Sequence, residues 1–123
     1  MSKVLIVEDE KTLAQMYKEA FSQEGFDVFL ANGVDEALEK TKTKNPDLIL
    51  LDILLPGETG ISFLIKLRKL DSDIAETPVV AFSNYDDQES KKEAFNLDAK
   101  EYLIKTENTP KEILEKSTKY LKK

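Results

Sequence analysis

Glu8, Asp9, Asp52, Ser83 and Lys105 are the residues of this chain whose types and spacing could do chemistry together. Each follows a short run that reads as a buried strand: Val4–Val7 before Glu8 and Asp9, Leu48–Leu51 before Asp52, Val79–Phe82 before Ser83, and Lys100–Ile104 before Lys105. A carboxylate at the carboxyl end of such a strand sits where ligands bind in open α/β sheets. If these ends share one rim, three negative charges face one positive charge there. That sum is unstable unless a cation joins it. All-oxygen ligands with access to water suit a hard divalent ion, and Mg²⁺ needs few carboxylates when substrate phosphate supplies the rest. A carboxylate beside such an ion and a lysine can attack a phosphoryl group, both cations stabilising the transferring oxygens while Ser83 adds a donor. Taken singly, Glu8 and Asp9 could cap a helix, Asp52 and Ser83 could be turn residues, and Lys105 could be a surface lysine. Their coincidence at successive strand ends favours the chemical reading.

Composition narrows the field. A chain of 123 residues suits one domain with a single core, so residues 1–123 are read as one unit with no output domain. Cysteine and histidine are both absent. That excludes disulfides, thiolate chemistry, histidine-based zinc sites and Ser-His or Cys-His catalysis. It also means that a phosphoryl group must come from another molecule. Eighteen Lys and Arg against 24 Asp and Glu give a net charge of −6, which disfavours direct nucleic-acid binding. No run approaches the ~18 apolar residues of a membrane span, and the start M-S-K-V-L-I-V-E-D-E lacks the features of a signal peptide. A cytoplasmic protein is expected.

The elements that must position these residues alternate in type. Helical spacing of Leu13, Met16, Tyr17, Ala20 and Phe21 predicts a helix from Lys11 to Glu24, with Gly25 placed to end it. Phe26–Ala31 reads as a strand, Asn32-Gly33 as a turn, and Val34–Lys44 as a helix that Asn45-Pro46 stops. The breakers Pro56, Gly57 and Gly60 separate the central strand from a helix over Ile61–Leu70. Asp86 and Glu89 have capping-box spacing and predict a fourth helix through about Asn96. Thr109-Pro110-Lys111-Glu112 is a strong start for the last helix, whose apolar face holds Ile113, Leu114, Ser117 and Leu121. Glu112/Lys116 and Glu115/Lys119 read as pairs on its solvated face. Strand then helix, five times over, implies a doubly wound α/β fold, a five-stranded parallel sheet covered on both faces.

On four pieces the chain resembles the receiver domain of two-component response regulators, the CheY-like family. They are V-L-I-V-E-D-E from Val4, D-L-I-L-L-D-I-L-L-P-G-E-T-G from Asp47, V-V-A-F-S-N from Val79 and Y-L-I-K from Tyr102, and the likeness covers residues 2–121. The resemblance implies the flavodoxin-like strand order 2-1-3-4-5. It implies that Asp52 is the phosphoacceptor and that Asp52, Asp9 and the Leu54 carbonyl bind Mg²⁺, with Glu8 helping through water. Lys105 would contact the phosphoryl oxygens, Ser83 would close onto them, and Tyr102 would be the moving aromatic switch. The implied role is a signalling switch rather than an enzyme. It would be charged by a sensor histidine kinase or a histidine phosphotransfer protein. It would be read by a downstream protein through the fourth helix, fifth strand and last helix, and would form a homodimer when phosphorylated. Neither nucleic acid nor membrane is an expected direct partner.

Three positions depart from the family pattern. Thr106 follows Lys105 where proline is usual, and a cis bond there would cost ~3 kcal/mol rather than ~1. Asp98 stands where glycine usually follows the fourth helix, so a strained or reshaped cap is expected. Asn84 is bulkier than the residue usual after the switch hydroxyl and would crowd the pocket. Rival readings fit less well. E-D-E-K-T has no glycine for a flavodoxin phosphate loop, and no D-x-D follows the first strand as an aspartate-nucleophile phosphatase requires. A receiver that docks without phosphorylation is the remaining alternative.

Overall fold

The computed structural model describes residues 2–55 and 57–121. Pro56, read above as a breaker, lies outside the described residues. The chain runs β1 (Lys3–Val7), α1 (Lys11–Gln23), β2 (Asp27–Ala31), α2 (Val34–Lys44), β3 (Leu48–Asp52), α3 (Gly60–Arg68), β4 (Val79–Ser83), α4 (Gln88–Asn96), β5 (Glu101–Ile104) and α5 (Pro110–Thr118). All strand pairs are parallel, in the order β2-β1-β3-β4-β5. The order expected from the resemblance is the one found.

Alternation along each strand divides the core in two. Val4, Ile6, Leu48, Leu50, Val80, Phe82 and Leu103 meet Tyr17 and Phe21 of α1 and Ile113 and Leu114 of α5. Their neighbours Leu5, Val7, Ile49, Leu51, Val79, Ala81 and Tyr102 meet α2, α3 and α4. β3 is buried along its whole length, including Asp52. That is why its sequence is a continuous apolar run rather than an alternating one. β2 lies at an edge and is only half-buried over Val28–Leu30.

Helix ends follow local chemistry, with some corrections. Gly25, at φ 91°, turns the chain out of α1 in the left-handed region that glycine adopts freely. Thr109 and Glu112 form the expected reciprocal capping box around Pro110. α4 is capped by Asp87, not Asp86: Asp87 accepts from the Glu89 amide and the Ser90 hydroxyl, and Asp86 pairs with Lys91 instead. Asp98 does adopt a left-handed conformation, at φ 65°. The cap is nonetheless a regular one: Ala99 N–H donates to Ala94 O and Asp98 N–H to Phe95 O, the two bonds of a Schellman ending. Aspartate is among the few non-glycine residues that enter this region at modest cost. All peptide bonds among the described residues are trans, and Lys105–Glu107 forms a short 3₁₀ turn after β5. The Lys105-Thr106 departure is therefore met by a tight turn, with Asn108 Nδ2 donating to Ile104 O at 2.9 Å.

The charge pairs expected on α5 do not form among the described residues. Lys116 donates to Asn108, Lys119 pairs with Glu101, and Glu112 serves the cap. Leu121 lies beyond the helix but still packs on the α1/α5 side of the core.

Two polar groups on the scaffold stand out. Arg68, at the end of α3, donates Nε to Leu97 O at 2.8 Å and Nη1 to Ala75 O and Thr77 O at 2.9 and 2.8 Å. Its Nη2 reaches Asp98 O at 3.3 Å. Burial lowers its pKa from the usual arginine value. Hydrogen bonds from a charged donor contribute roughly 1.5–3 kcal/mol each, so Arg68 is a strong tie between α3, the approach to β4 and the end of α4. Ser117 is the opposite case, fully buried with no partner for its hydroxyl among the described residues. Ser117→Ala should therefore stabilise the protein by about 1 kcal/mol, through relief of desolvation and better helix propensity. Urea unfolding checks this, and a lower midpoint would show that the hydroxyl is satisfied in solution.

Candidate functional site

Strand register brings the site together. Val7 pairs with Leu51, so the residues one step further, Glu8 and Asp52, emerge side by side at the carboxyl rim. Asp52 is also level with Phe82 and Ser83 with Ile104, which sets Ser83 and Lys105 on the same rim. Between β1 and β3 the connections leave in opposite directions, and such a switch point opens a crevice.

Lys105 Nζ lies 2.5 Å from Glu8 Oε1 and 3.0 Å from Asp52 Oδ2. The three side chains are only 7%, 1% and 4% exposed. The ammonium also sits 4.7 Å from the centroid of the Phe82 ring, which Tyr17 supports edge-on from α1. A cation over that ring face is held by more than its carboxylates. Burial pushes the Glu8 carboxyl above its usual pKa and the Asp52 charge adds to the rise, while Lys105 and the Glu10 amide oppose it. Tyr17 is raised too, by burial first and then by the Glu8 and Asp52 charges.

Asp9 completes the acidic group. One carboxylate oxygen from each of Glu8, Asp9 and Asp52 lies within 4.8 Å of the others. Both Glu8 oxygens are engaged, Oε1 by Lys105 and Oε2 by the Glu10 amide at 3.1 Å, whereas Asp9 is exposed at the rim. The expected alternative, that Glu8 and Asp9 cap α1, is not what the structure shows. Glu10 does so, accepting from the Thr12 and Leu13 amides. Leu54 joins through its backbone, its N–H donating to Asp52 Oδ1 at 3.0 Å while its side chain is half exposed.

These contacts gather three carboxylates and one ammonium at one rim of the sheet. The family model of the response regulator receiver domain matches residues 4–117. The chain belongs to that family. Among curated relatives, the receiver is 35% identical over 105 residues to the KDP operon transcriptional regulatory protein KdpE of Escherichia coli K12. That match covers 85% of this chain and 45% of the relative, so the chain spans a little under half of that protein's length. Among solved structures, chemotaxis response regulator CheY4 of Vibrio cholerae superposes with a TM-score of 0.88 at 28% identity, covering 98% of this chain and 99% of that one. The Francisella response regulator 1452 receiver domain gives a TM-score of 0.85 at 33% identity, covering 98% and 96%.

Ser83 and Tyr102 of the receiver lie beside this centre. Ser83 is buried and its hydroxyl accepts from the Tyr85 amide at 3.3 Å. Tyr102, on the α4 side of the sheet, is 8% exposed and donates to Tyr85 O at 3.5 Å. Burial raises its phenol pKa. Asn84 and Tyr85, which follow Ser83, are both exposed. Gly60 belongs to the site as well, though the sequence marked it only as a breaker. A Cβ there would lie 2.4 Å from Asp52 O and 2.9 Å from Ile53 Cα. The start of α3 thus rests against the backbone that carries Asp52, and Gly60 N–H fixes it by donating to Ile53 O at 2.8 Å. Thr59 already caps α3, so a glycine at the first helical position serves no helix purpose and signals a close approach.

Proposed function

We propose that this receiver accepts a phosphoryl group on Asp52 in a Mg²⁺-dependent reaction and thereby changes its affinity for another protein. The observation that carries the reading is Lys105 held between Glu8 and Asp52 in a buried rim, with Asp9 alongside. Three acceptor-only carboxylates, one at the surface, fit a hard divalent ion better than they fit any soft metal. Asp9, Asp52 and the Leu54 carbonyl would hold it, with Glu8 assisting through water. When bound, such an ion offsets charge on the transferring oxygens and on the acidic cluster.

The residues of the chain do the rest. An Asp52 carboxylate oxygen forms the new bond to phosphorus as the phosphorus–nitrogen bond to the donor histidine breaks, leaving the imidazole on the partner. Leu54 N–H and Lys105 hold the carboxylate in place, and Lys105 remains to balance the added charge. Ser83 then donates to a phosphoryl oxygen, and Tyr102 moves into the space this vacates. The altered surface comprises α4, β5 and α5. In this reading the chain is a switch, not an enzyme.

With acetyl phosphate and Mg²⁺ the intact mass should rise by one phosphoryl group, and excess chelator should prevent it. Asp9→Ala should weaken Mg²⁺ binding, so that labelling needs more of the ion, by more than Glu8→Ala, whose oxygens are already engaged. Labelling at full rate in chelator would remove the ion from the mechanism. Absence of labelling under all conditions would favour a docking module that works without phosphate.

A further inference from the structure

Helix α4 is fastened unequally at its two ends. The carbonyls just past its end, on Leu97 and Asp98, are gripped by the half-buried Arg68, which also holds the approach to β4. Ala94, one turn from that end, is the only residue of α4 that is buried. At the other end, residues 84–89 are all exposed. There Lys91 Nζ meets Asp86 Oδ1 at 2.8 Å and lies 5.8 Å from the centroid of the Tyr102 ring. Tyr102 in turn donates to Tyr85 O, and Tyr85 donates to Ser83. One lysine therefore touches both the loop that follows Ser83 and the aromatic beside it.

The two fastenings differ in kind. Several charge-assisted bonds to backbone carbonyls in a half-buried setting outlast one ion pair whose partners are 32% and 54% exposed. A cation as far as 5.8 Å from the ring centroid adds little to that pair. Any pull on the Ser83–Asp86 loop must then be relieved at the start of α4. We propose that α4 is a lever pivoted at Arg68, and that Lys91, paired with Asp86 and seated on Tyr102, is the latch that holds it in the resting position. Movement of Ser83 toward phosphorylated Asp52 draws Asp86 away from Lys91, uncovers the Tyr102 ring and frees the first turn of α4. The proposal rests on the reading of Asp52 and Ser83 given above.

Amide and aromatic NMR spectra of the whole chain, titrated with beryllofluoride in Mg²⁺, provide the test. Lys91→Met keeps the aliphatic stem and removes the charge. Before any beryllofluoride is added, its signals from Tyr85 to Ser90 and the Tyr102 ring should lie part-way toward their bound positions. Those of Asn96–Ala99 should stay in place. Half-saturation should fall about two- to fivefold, which is what an exposed ion pair can supply. Lys91→Arg should restore the wild-type values. If beryllofluoride binds but Lys91→Met changes neither the free spectrum nor half-saturation, the latch is overturned and the Asp52 reading stands. Shifts spread equally into Asn96–Ala99 would overturn the pivot. Failure of the wild type to bind beryllofluoride at all would overturn the Asp52 reading, and the lever with it.

Discussion

Asp52→Asn is expected to reduce phosphoryl labelling to background while leaving the fold intact. The amide cannot act as the nucleophile, yet it has the shape of the carboxylate. Its oxygen can still accept from Leu54 N–H, now 3.0 Å from Asp52 Oδ1. Its charge is gone, and that charge is one of two buried against a single lysine. Stability should therefore stay within about 1 kcal/mol of the wild type or rise slightly. Intact-mass measurement with acetyl phosphate, beside urea unfolding of both proteins, separates a lost nucleophile from a lost fold. Single-site labelling of the variant at the wild-type rate would move the acceptor elsewhere, and Asp9, on the same rim, would be the first place to look.

The site was legible because parallel strands all end on the same rim. A polar residue at the end of an apolar run is ambiguous once, but Glu8, Asp52, Ser83 and Lys105 repeat the pattern on four strands that pair in register. Strand and helix bounds were legible for a related reason: burial on both faces gives continuous apolar runs, and half-buried helices give a period near four. Thr109 with Glu112 could be read because both halves of that cap lie within one turn of sequence.

What the sequence concealed depends on contacts between distant segments or on backbone angles. Asp86 and Asp87 are adjacent and chemically alike, and which one caps α4 is set by the loop's path out of β4. Glu10, rather than Glu8 or Asp9, caps α1 because the other two are turned into the rim. Nothing local in the sequence marks Arg68, because its acceptors on Leu97 and Asp98 lie 29 and 30 residues away. Lys116 and Lys119 had suitable glutamates one turn before them but found Asn108 and Glu101 in other elements. An intrahelical pair contributes too little to compete with such alternatives.

Lys105→Met should cost roughly 3 kcal/mol at about pH 7 in chelator-treated protein, and much less at about pH 5. Methionine can keep the stem against Phe82, so the change removes chiefly the ammonium. Glu8 and Asp52 are then two nearly buried carboxylates without the cation that joins them. The sign of the pH dependence follows from Glu8. Burial, and then the Asp52 charge, already hold its pKa above the ordinary 4.5, and Lys105 works against that rise. A carboxyl whose pKa is higher folded than unfolded burdens the native state wherever it is ionised, so stability falls as pH climbs through the folded value. Without Lys105 the folded value rises further, the burden at neutral pH grows, and acidification toward the ordinary value relieves more of it. Urea unfolding of the variant should thus show stability recovering on acidification more steeply than in the wild type. Glu8→Gln added to Lys105→Met should restore most of the loss at neutral pH, because it removes the charge that the lysine had been balancing. An equal loss at both pH values, unrelieved by Glu8→Gln, would mean that Lys105 supports the fold through packing and that the charge balance of the rim is set by other groups.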